Sequence, residues 1–335
     1  MRGSEPVISV IMPVYNCAGY IKAALESILN QTETDLECIV IDDVSADGTV
    51  EIAKSFKDNR LIVIEKETHS GYTNSLNLGI SQACGKYIAR MDGDDFSDRH
   101  RLERQRIFLD ENPDTGICGT WYHIPETGKT VKTPMSHRAI CTTLIWHNCL
   151  AHPSVMMRKS LLTKVSYNPA YEPAEDYLLW IQLAGITKLA NIPEVLLNYR
   201  MHDDSVSSKN KLKQEENAAQ IRSYTSGWLI WPDAETETVF YRLRRIELKN
   251  ANAYNQIWNR MYALWQTNLK NALLDKTIWT AYMQRDLQYI VQKWLGKKEN
   301  MHWYVRIKEA RKIWLSGRRF AIRHAFGLLP ITAIQ

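Results

Sequence analysis

The stretch Tyr87-Ile88-Ala89-Arg90-Met91-Asp92-Gly93-Asp94-Asp95 decides how the rest of the chain is read. It begins as a short buried strand and closes on three carboxylates. Open α/β sheets bind ligands outside the carboxyl ends of their strands. Like charges about 4 Å apart repel by roughly 4 kcal/mol near a protein surface, so this turn calls for a counter-charge. A hard divalent cation, magnesium or manganese, supplies it through oxygen ligands. A merely polar turn is the plain alternative, and a D-x-D-D string alone does not separate the two.

A second acidic turn adds weight to the cation. Glu37-Cys38-Ile39-Val40-Ile41 is another apolar run, and it ends in Asp42-Asp43-Val44-Ser45-Ala46-Asp47-Gly48-Thr49. The first strand, Val7 to Met12, runs into Pro13-Val14-Tyr15-Asn16. Helical spacing follows each: Ile21, Ala24, Leu25 and Ile28 after the first, Val50, Ala53 and Phe56 after the second. Leu61 to Ile64 gives a further strand, and Leu76 and Ile80 mark a helix before a stop at Gly85. This alternation predicts an α/β protein, a doubly wound sheet with helices on both faces. Acids from separate strands then converge on one sheet edge.

These residues resemble the family 2 glycosyltransferases, nucleotide-sugar enzymes of the GT-A fold. The shared features are P-V-Y-N, the D-D-x-S-x-D-G-T turn, the G-x-x-x-S-x-N segment from Gly71 to Asn77, and the D-x-D-D turn. Further on come Ala151 to Met156, Glu175-Asp176 followed by Trp180, and Tyr199-Arg200-Met201-His202 with Val206-Ser207-Ser208. The likeness implies a GT-A, mixed and mainly parallel sheet over residues 1–210, while the glycine-poor composition of residues 211–335 predicts a helical region there. Within the family the chain most resembles bacterial lipooligosaccharide β-1,3-N-acetylglucosaminyltransferases. That narrower likeness lies in Tyr87-Ile88-Ala89-Arg90, in Ala174-Glu175-Asp176-Tyr177, and in the Tyr199 to Lys209 pattern Y-R-x-H-x-x-x-V-S-S-K.

The resemblance implies roles for particular residues. Asp43 accepts from the uracil imide of a UDP-sugar donor, and Pro13 and Tyr15 flank the base. Asp42 either contacts the nucleotide or forms the turn. Asp94 binds the cation, Asp92 approaches the ribose or a metal-bound water, and Asp95 shares coordination or braces the loop. His202 is a further metal or diphosphate ligand, Arg200 a diphosphate contact, and Arg90 pairs with the acids or reaches the phosphates. Asp176 is the general base for the acceptor hydroxyl; helix N-terminal charge is its structural alternative. His152 shapes the acceptor pocket. Val44 stands where the family has glycine, and a β-branched residue resists positive φ, so the turn is expected to differ there.

Composition bounds these expectations. The chain has 335 residues, 45% of them hydrophobic. No apolar run approaches the ~18–20 residues that span a bilayer, and residues 1–6 hold no apolar segment, so a secretory signal is not expected. Six cysteines at 17, 38, 84, 118, 141 and 149 form no C-x-x-C pair, which suggests buried free thiols in a reducing cytoplasm. Residues 211–335 hold 21 Lys plus Arg against 10 Asp plus Glu, a balance of +11, and eight of the eleven tryptophans. The remainder carries −6. The tail is expected to be helical, with its final segment, Trp303 to Phe326, on an anionic membrane surface. Nucleic acid is set aside because no recognition motif accompanies the basic residues.

The functional expectation is an inverting, metal-dependent transferase working at the inner face of the cytoplasmic membrane. It would move a sugar, N-acetylglucosamine first, to a lipid-linked or oligosaccharide acceptor of a bacterial surface glycan such as lipooligosaccharide; transfer of galactose or glucose for O-antigen or capsule is the alternative. A nucleotide-sugar-binding scaffold without turnover is the alternative of another class. A nucleotidyltransferase is disfavoured because no Gly-rich triphosphate loop follows the first strand.

Overall fold

The computed structural model describes residues 5–202, 210–243, 245–246 and 251–296. From the amino end run β1 (Ile8–Val14), α1 (Ile21–Leu29), β2 (Leu36–Asp42), α2 (Thr49–Ser55), β3 (Leu61–Glu65), α3 (Tyr72–Gln82) and β4 (Tyr87–Arg90). The four strands pair in parallel in the order β3-β2-β1-β4. β1, β2 and β4 are buried along their whole length, as continuous apolar runs in a sheet covered on both faces must be.

The period of two sorts the strand residues between the faces. Val10, Met12, Cys38 and Val40 share one core with Ile21, Ala24, Leu25 and Ile28 of α1. Ile11 and Ile41 meet α3 on the other face, where Gly79 permits close approach. A Cβ there would lie 2.5 Å from Ile41 Cδ1 and 2.7 Å from Ile11 Cγ2. α3 ends at Gln82, before the expected Gly85 stop. Gly85 instead lies against the backbone of β1, where a Cβ would come within 2.5 Å of Ser9 N.

The second half of the sheet is mixed. It is built from β5 (Phe96–Ser97), α4 (Arg101–Glu111), β6 (Thr115–Ile124), β7 (Lys129–Val131), α5 (His137–Leu144), β8 (Met156–Arg158), α6 (Lys159–Leu162), α7 (Glu175–Ala184) and β9 (Lys188–Asn198). β8 lies antiparallel between β4 and β6, β9 runs parallel to β6, and β5 closes the edge. β7 pairs antiparallel with β6. Most of the paired length is parallel. Because β1, β2 and β4 all point one way, the loops that leave them, acidic after β2 and β4, gather on one edge.

Contacts divide the chain into two compact units, Met1–Ile221 and Arg222–Gln335. Helix α8 (Lys211–Arg222) therefore falls almost wholly within the first. The second contains α9 (Ala234–Arg242), α10 (Ala251–Asn268) and α11 (Lys276–Gly296), so its described part is helical. Trp258 and Trp279 are buried there with Met261, Leu264 and Met283, while Trp228, Trp231 and Trp265 are half-buried. Buried Asn268 ties these helices to the preceding loop: its Oδ1 accepts from Ile230 N (2.9 Å) and its Nδ2 donates to Ile230 O (2.9 Å). The Trp303–Phe326 segment lies outside the described residues.

All six cysteines are free thiols. Cys38, Cys118, Cys141 and Cys149 are buried and Cys17 half-buried, but Cys84 is exposed, contrary to expectation, in the turn after α3. Among the described residues no helix is long and apolar enough to cross a membrane.

Candidate active site

The loops after β1 and β2 are stitched to each other. Asn16 N–H donates to Ser45 Oγ and Ala46 N–H donates to Asn16 Oδ1, both at 2.9 Å. Cys17 N–H donates to Thr49 Oγ1 and Ala18 N–H to Asp47 Oδ2, again at 2.9 Å. The polar letters of P-V-Y-N and S-x-D-G-T thus hold one loop against the other. Val44 takes φ +67°, in the left-handed region. The β-branched side chain is held there at a cost to an L-residue of about 1–2 kcal/mol.

Asp42 and Asp43 are both buried. Asp42 Oδ2 accepts from Ser45 N (2.9 Å), while its Oδ1 has no hydrogen-bond partner. Asp43 is crowded with donors: Lys66 Nζ and Ser70 N–H on Oδ1, and Gly71 N–H (2.9 Å) on Oδ2. His69 Nδ1 also lies 3.0 Å from Oδ2. A uracil imide would have to displace one of these. Pro13 is buried within β1 opposite Ile41, which corrects the expectation that it offers a face to the base. Tyr15 is exposed, with its ring 4.8 Å from that of His69.

The turn after β4 brings carboxylate oxygens of Asp92, Asp94 and Asp95 within 4.8 Å of one another. Arg90, buried at the end of β4, forms an ion pair with Asp92, and its guanidinium lies 5.3 Å from the Tyr72 ring centre. Arg90 Nε and Nη1 have no hydrogen-bond partner. Arg200 comes to this turn through its backbone, whose N–H donates to Asp95 Oδ1 (2.8 Å). His202 Nε2 lies 2.8 Å from Asp94 Oδ2 and its ring stacks on Tyr20. Burial, then the Asp92 and Asp94 charges, push the Asp95 carboxyl well above the usual range. Burial likewise raises Asp92, against the pull of Arg90. Asp95 Oδ2 is buried without a partner. Converging hard oxygens, a nearby imidazole and mutually repelling carboxyl groups fit a divalent cation.

Asp176 sits in the first turn of α7, half-buried. Its Oδ2 accepts from Asn148 Nδ2 (2.7 Å) and its Oδ1 from Tyr177 N–H (2.6 Å). Burial raises its carboxyl to about 6, while Tyr177 and Asn148 pull the other way. Glu175 is buried, with Oε2 unpartnered, and burial followed by the Asp176 charge raises it to about 8. His152 lies beside it, bonded to Tyr167 through Nε2 (2.7 Å) and to Tyr72 through Nδ1 (3.2 Å). Burial, then the Arg90 charge, depress that imidazole, so it is neutral.

Asp92, Asp94, Asp95, Arg90 and Arg200 line a cavity of about 290 Å³ together with Asp176, Glu175 and His152. Asp43, Pro13 and Tyr15 are not on its wall. Asp43 connects to it through the backbone of Ser70 and Gly71, which leads into Tyr72 on the wall. Asn148 was not legible beforehand, because nothing in Trp146-His147-Asn148-Cys149 marks it. Lys66 was equally silent, one more lysine after a strand. Replacing Asn148 by leucine removes a donor to ionised Asp176 and raises its apparent pKa by roughly one unit. The pH–rate profile would show the acid limb moving upward from about 6; an unmoved limb would separate Asn148 from the titration.

The fold and the site define a GT-A enzyme that acts on a glycosyl donor. Residues 9–165 match the family described as Glycosyl transferase family 2. An uncharacterized glycosyltransferase of Haemophilus influenzae is 31% identical over 304 residues, 84% of this chain and 87% of that protein. The chain belongs to glycosyl transferase family 2. The O-antigen biosynthesis glycosyltransferase WbnJ of Escherichia coli is 35% identical over 225 residues, 64% of this chain and 86% of that protein. Two solved structures share the fold at 19% identity. S. aureus TarS 1–349 in complex with UDP-GlcNAc has a TM-score of 0.59, covering 87% of this chain and 91% of that one. The Pyrobaculum calidifontis mannosyltransferase PcManGT in complex with GDP-Man and Mn2+ has a TM-score of 0.54, covering 89% of each.

Proposed function

We propose that this protein is an inverting, divalent-metal-dependent glycosyltransferase. It moves N-acetylglucosamine from a UDP-sugar to a sugar hydroxyl of a bacterial surface glycan such as lipooligosaccharide. The observation that carries this reading is that the Asp92–Asp94–Asp95 cluster and Asp176 share one cavity. Asp94, with Asp92, Asp95 and His202, would hold magnesium or manganese. Bound there, the cation supplies charge neutralisation to the departing nucleoside diphosphate.

The chain's own residues do the rest. Arg90 and Arg200, both on the cavity wall, add positive charge beside the acids. The exposed Tyr15 and His69 rings offer the nucleobase an apolar surface, and Asp43 fixes the loop that presents His69. Asp176, held by Asn148, takes the proton of the attacking hydroxyl. A carboxylate serving the attacking oxygen opposite the leaving group gives one displacement with inversion.

The choice of N-acetylglucosamine is supported by the lipooligosaccharide-like motifs and by a TarS structure that holds UDP-GlcNAc. Galactose, glucose and mannose donors are the alternatives. Nucleotide release is measured with UDP-N-acetylglucosamine, UDP-galactose, UDP-glucose and GDP-mannose in the presence of manganese. Preference for the first is expected; preference for another replaces the sugar, and release from none favours a non-catalytic binding scaffold. Peripheral attachment to the cytoplasmic face through residues 303–326 belongs to the same proposal. Flotation with anionic vesicles should weaken on truncation before Trp303, and unchanged flotation removes that attachment.

A further inference from the structure

Helix α8 contributes two amide side chains to the segment that leads into the catalytic carboxylate. Gln214 Nε2 donates to Pro173 O (3.2 Å) and Asn217 Nδ2 donates to Glu172 O (3.0 Å). Three residues apart, they share one helix face. Asn217 and Ile221 are the buried positions of this helix, so part of its hold on the unit is polar. Glu172 is tied on its other side too. Its Oε2 accepts from Thr73 N–H (3.0 Å) in the first turn of α3. Gly71, φ +93°, leaves room for that carboxylate, since a Cβ there would lie 3.1 Å from Glu172 Oε2. The same Gly71 donates its N–H to Asp43. One continuous set of bonds therefore runs from the end of β2, through the start of α3 and Glu172, to α8, and α7 with Asp176 begins just after Pro173.

Gln214 and Pro173 also line the cavity, as do Asp176 and Asn148. The attacking hydroxyl has to reach Asp176, whereas the donor's diphosphate belongs with the acid cluster. With Nε2 committed to Pro173, the carbonyl oxygen of Gln214 remains able to accept from a hydroxyl. Resting on the transferase reading of this cavity, we propose that α8 completes its acceptor side. Gln214 is a specificity-determining contact for an acceptor sugar hydroxyl, and Asn217 is a positioning residue that fixes the segment carrying Asp176.

The test uses the full chain with manganese and its preferred nucleotide sugar, with methyl β-galactoside and methyl β-glucoside as acceptor probes. Gln214→Ala should raise the acceptor KM about tenfold while the donor KM moves less than about twofold. Asn217→Asp exchanges the donor for an acceptor of the same shape. It should lower kcat about tenfold for transfer and for donor hydrolysis alike, at a near-constant donor KM. Asn217→Ser, which restores a donor, should recover much of that loss. The proposal is overturned if Gln214→Ala moves only the donor KM, or if Asn217→Ser folds stably but stays as impaired as Asn217→Asp. It is also overturned if neither probe stimulates nucleotide release by an unmodified protein that hydrolyses its donor. Absence of both hydrolysis and transfer in the unmodified protein would strike the transferase reading itself.

Discussion

Asp176→Asn lowers sugar transfer by about 10²- to 10⁴-fold, the range a positioned general base supplies, and leaves nucleotide and metal binding nearly intact. The asparagine keeps the shape of the side chain and can still pair with Asn148, so geometry is preserved while the proton acceptor is lost. The pH dependence follows from the raised carboxyl. Burial holds Asp176 at about 6, so the ionised, active form prevails above that pH. Activity of the unmodified protein falls about tenfold per unit below it.

Stability should move the opposite way. A carboxyl raised on folding stabilises the fold only while protonated; that contribution is present below the unfolded pKa and lost as pH rises through the folded one. At pH 7.5 the neutral asparagine escapes this cost and should gain about 1–2 kcal/mol. Kinetics, calorimetric titration with UDP and manganese, and a thermal melt check all three. Undiminished transfer by the variant would rule Asp176 out as the base.

Asp94→Asn removes the carboxylate that faces His202, and with it manganese-dependent nucleotide affinity should fall by at least roughly 100-fold. Chelation of the unmodified protein should abolish transfer reversibly, with activity returning on addition of manganese. The structural basis is the mutual crowding of Asp92, Asp94 and Asp95, which burial makes unfavourable in the absence of a cation. The same crowding predicts that the variant melts no lower than the unmodified protein. Electron paramagnetic resonance of manganese reads the binding directly. Unchanged manganese affinity would move the cation elsewhere.

Much of the first unit was legible from sequence because its signals are local. The apolar runs of β1, β2 and β4 predicted buried parallel strands, and their exits predicted one acidic edge. The positions of Asp92, Asp94, Asp95 and Asp176 on a common cavity follow from that edge together with the family pattern. Burial was less legible. Pro13 looks like a loop residue in P-V-Y-N, yet it lies inside β1, because strand pairing with Ile41 continues past the apolar run. Asp43 looks like a free carboxylate, yet Lys66, Ser70 and Gly71 converge on it from the loop between β3 and α3. Val44 shows the limit of residue preference: loop-to-loop bonds from Asn16 to Ser45 and Ala46 hold the turn.

By itself the sequence determined the parallel core, the order of its elements and the acidic character of their exits. Each of these is written in residue type and short-range periodicity, which act within a strand or a helical turn. Only the tertiary structure decided which acids were already satisfied by protein donors and which were left crowded. It alone supplied Asn148 for Asp176 and brought Gln214 and Asn217 onto the segment before it. Those partners come from distant parts of the chain, and their meeting depends on how the layers pack.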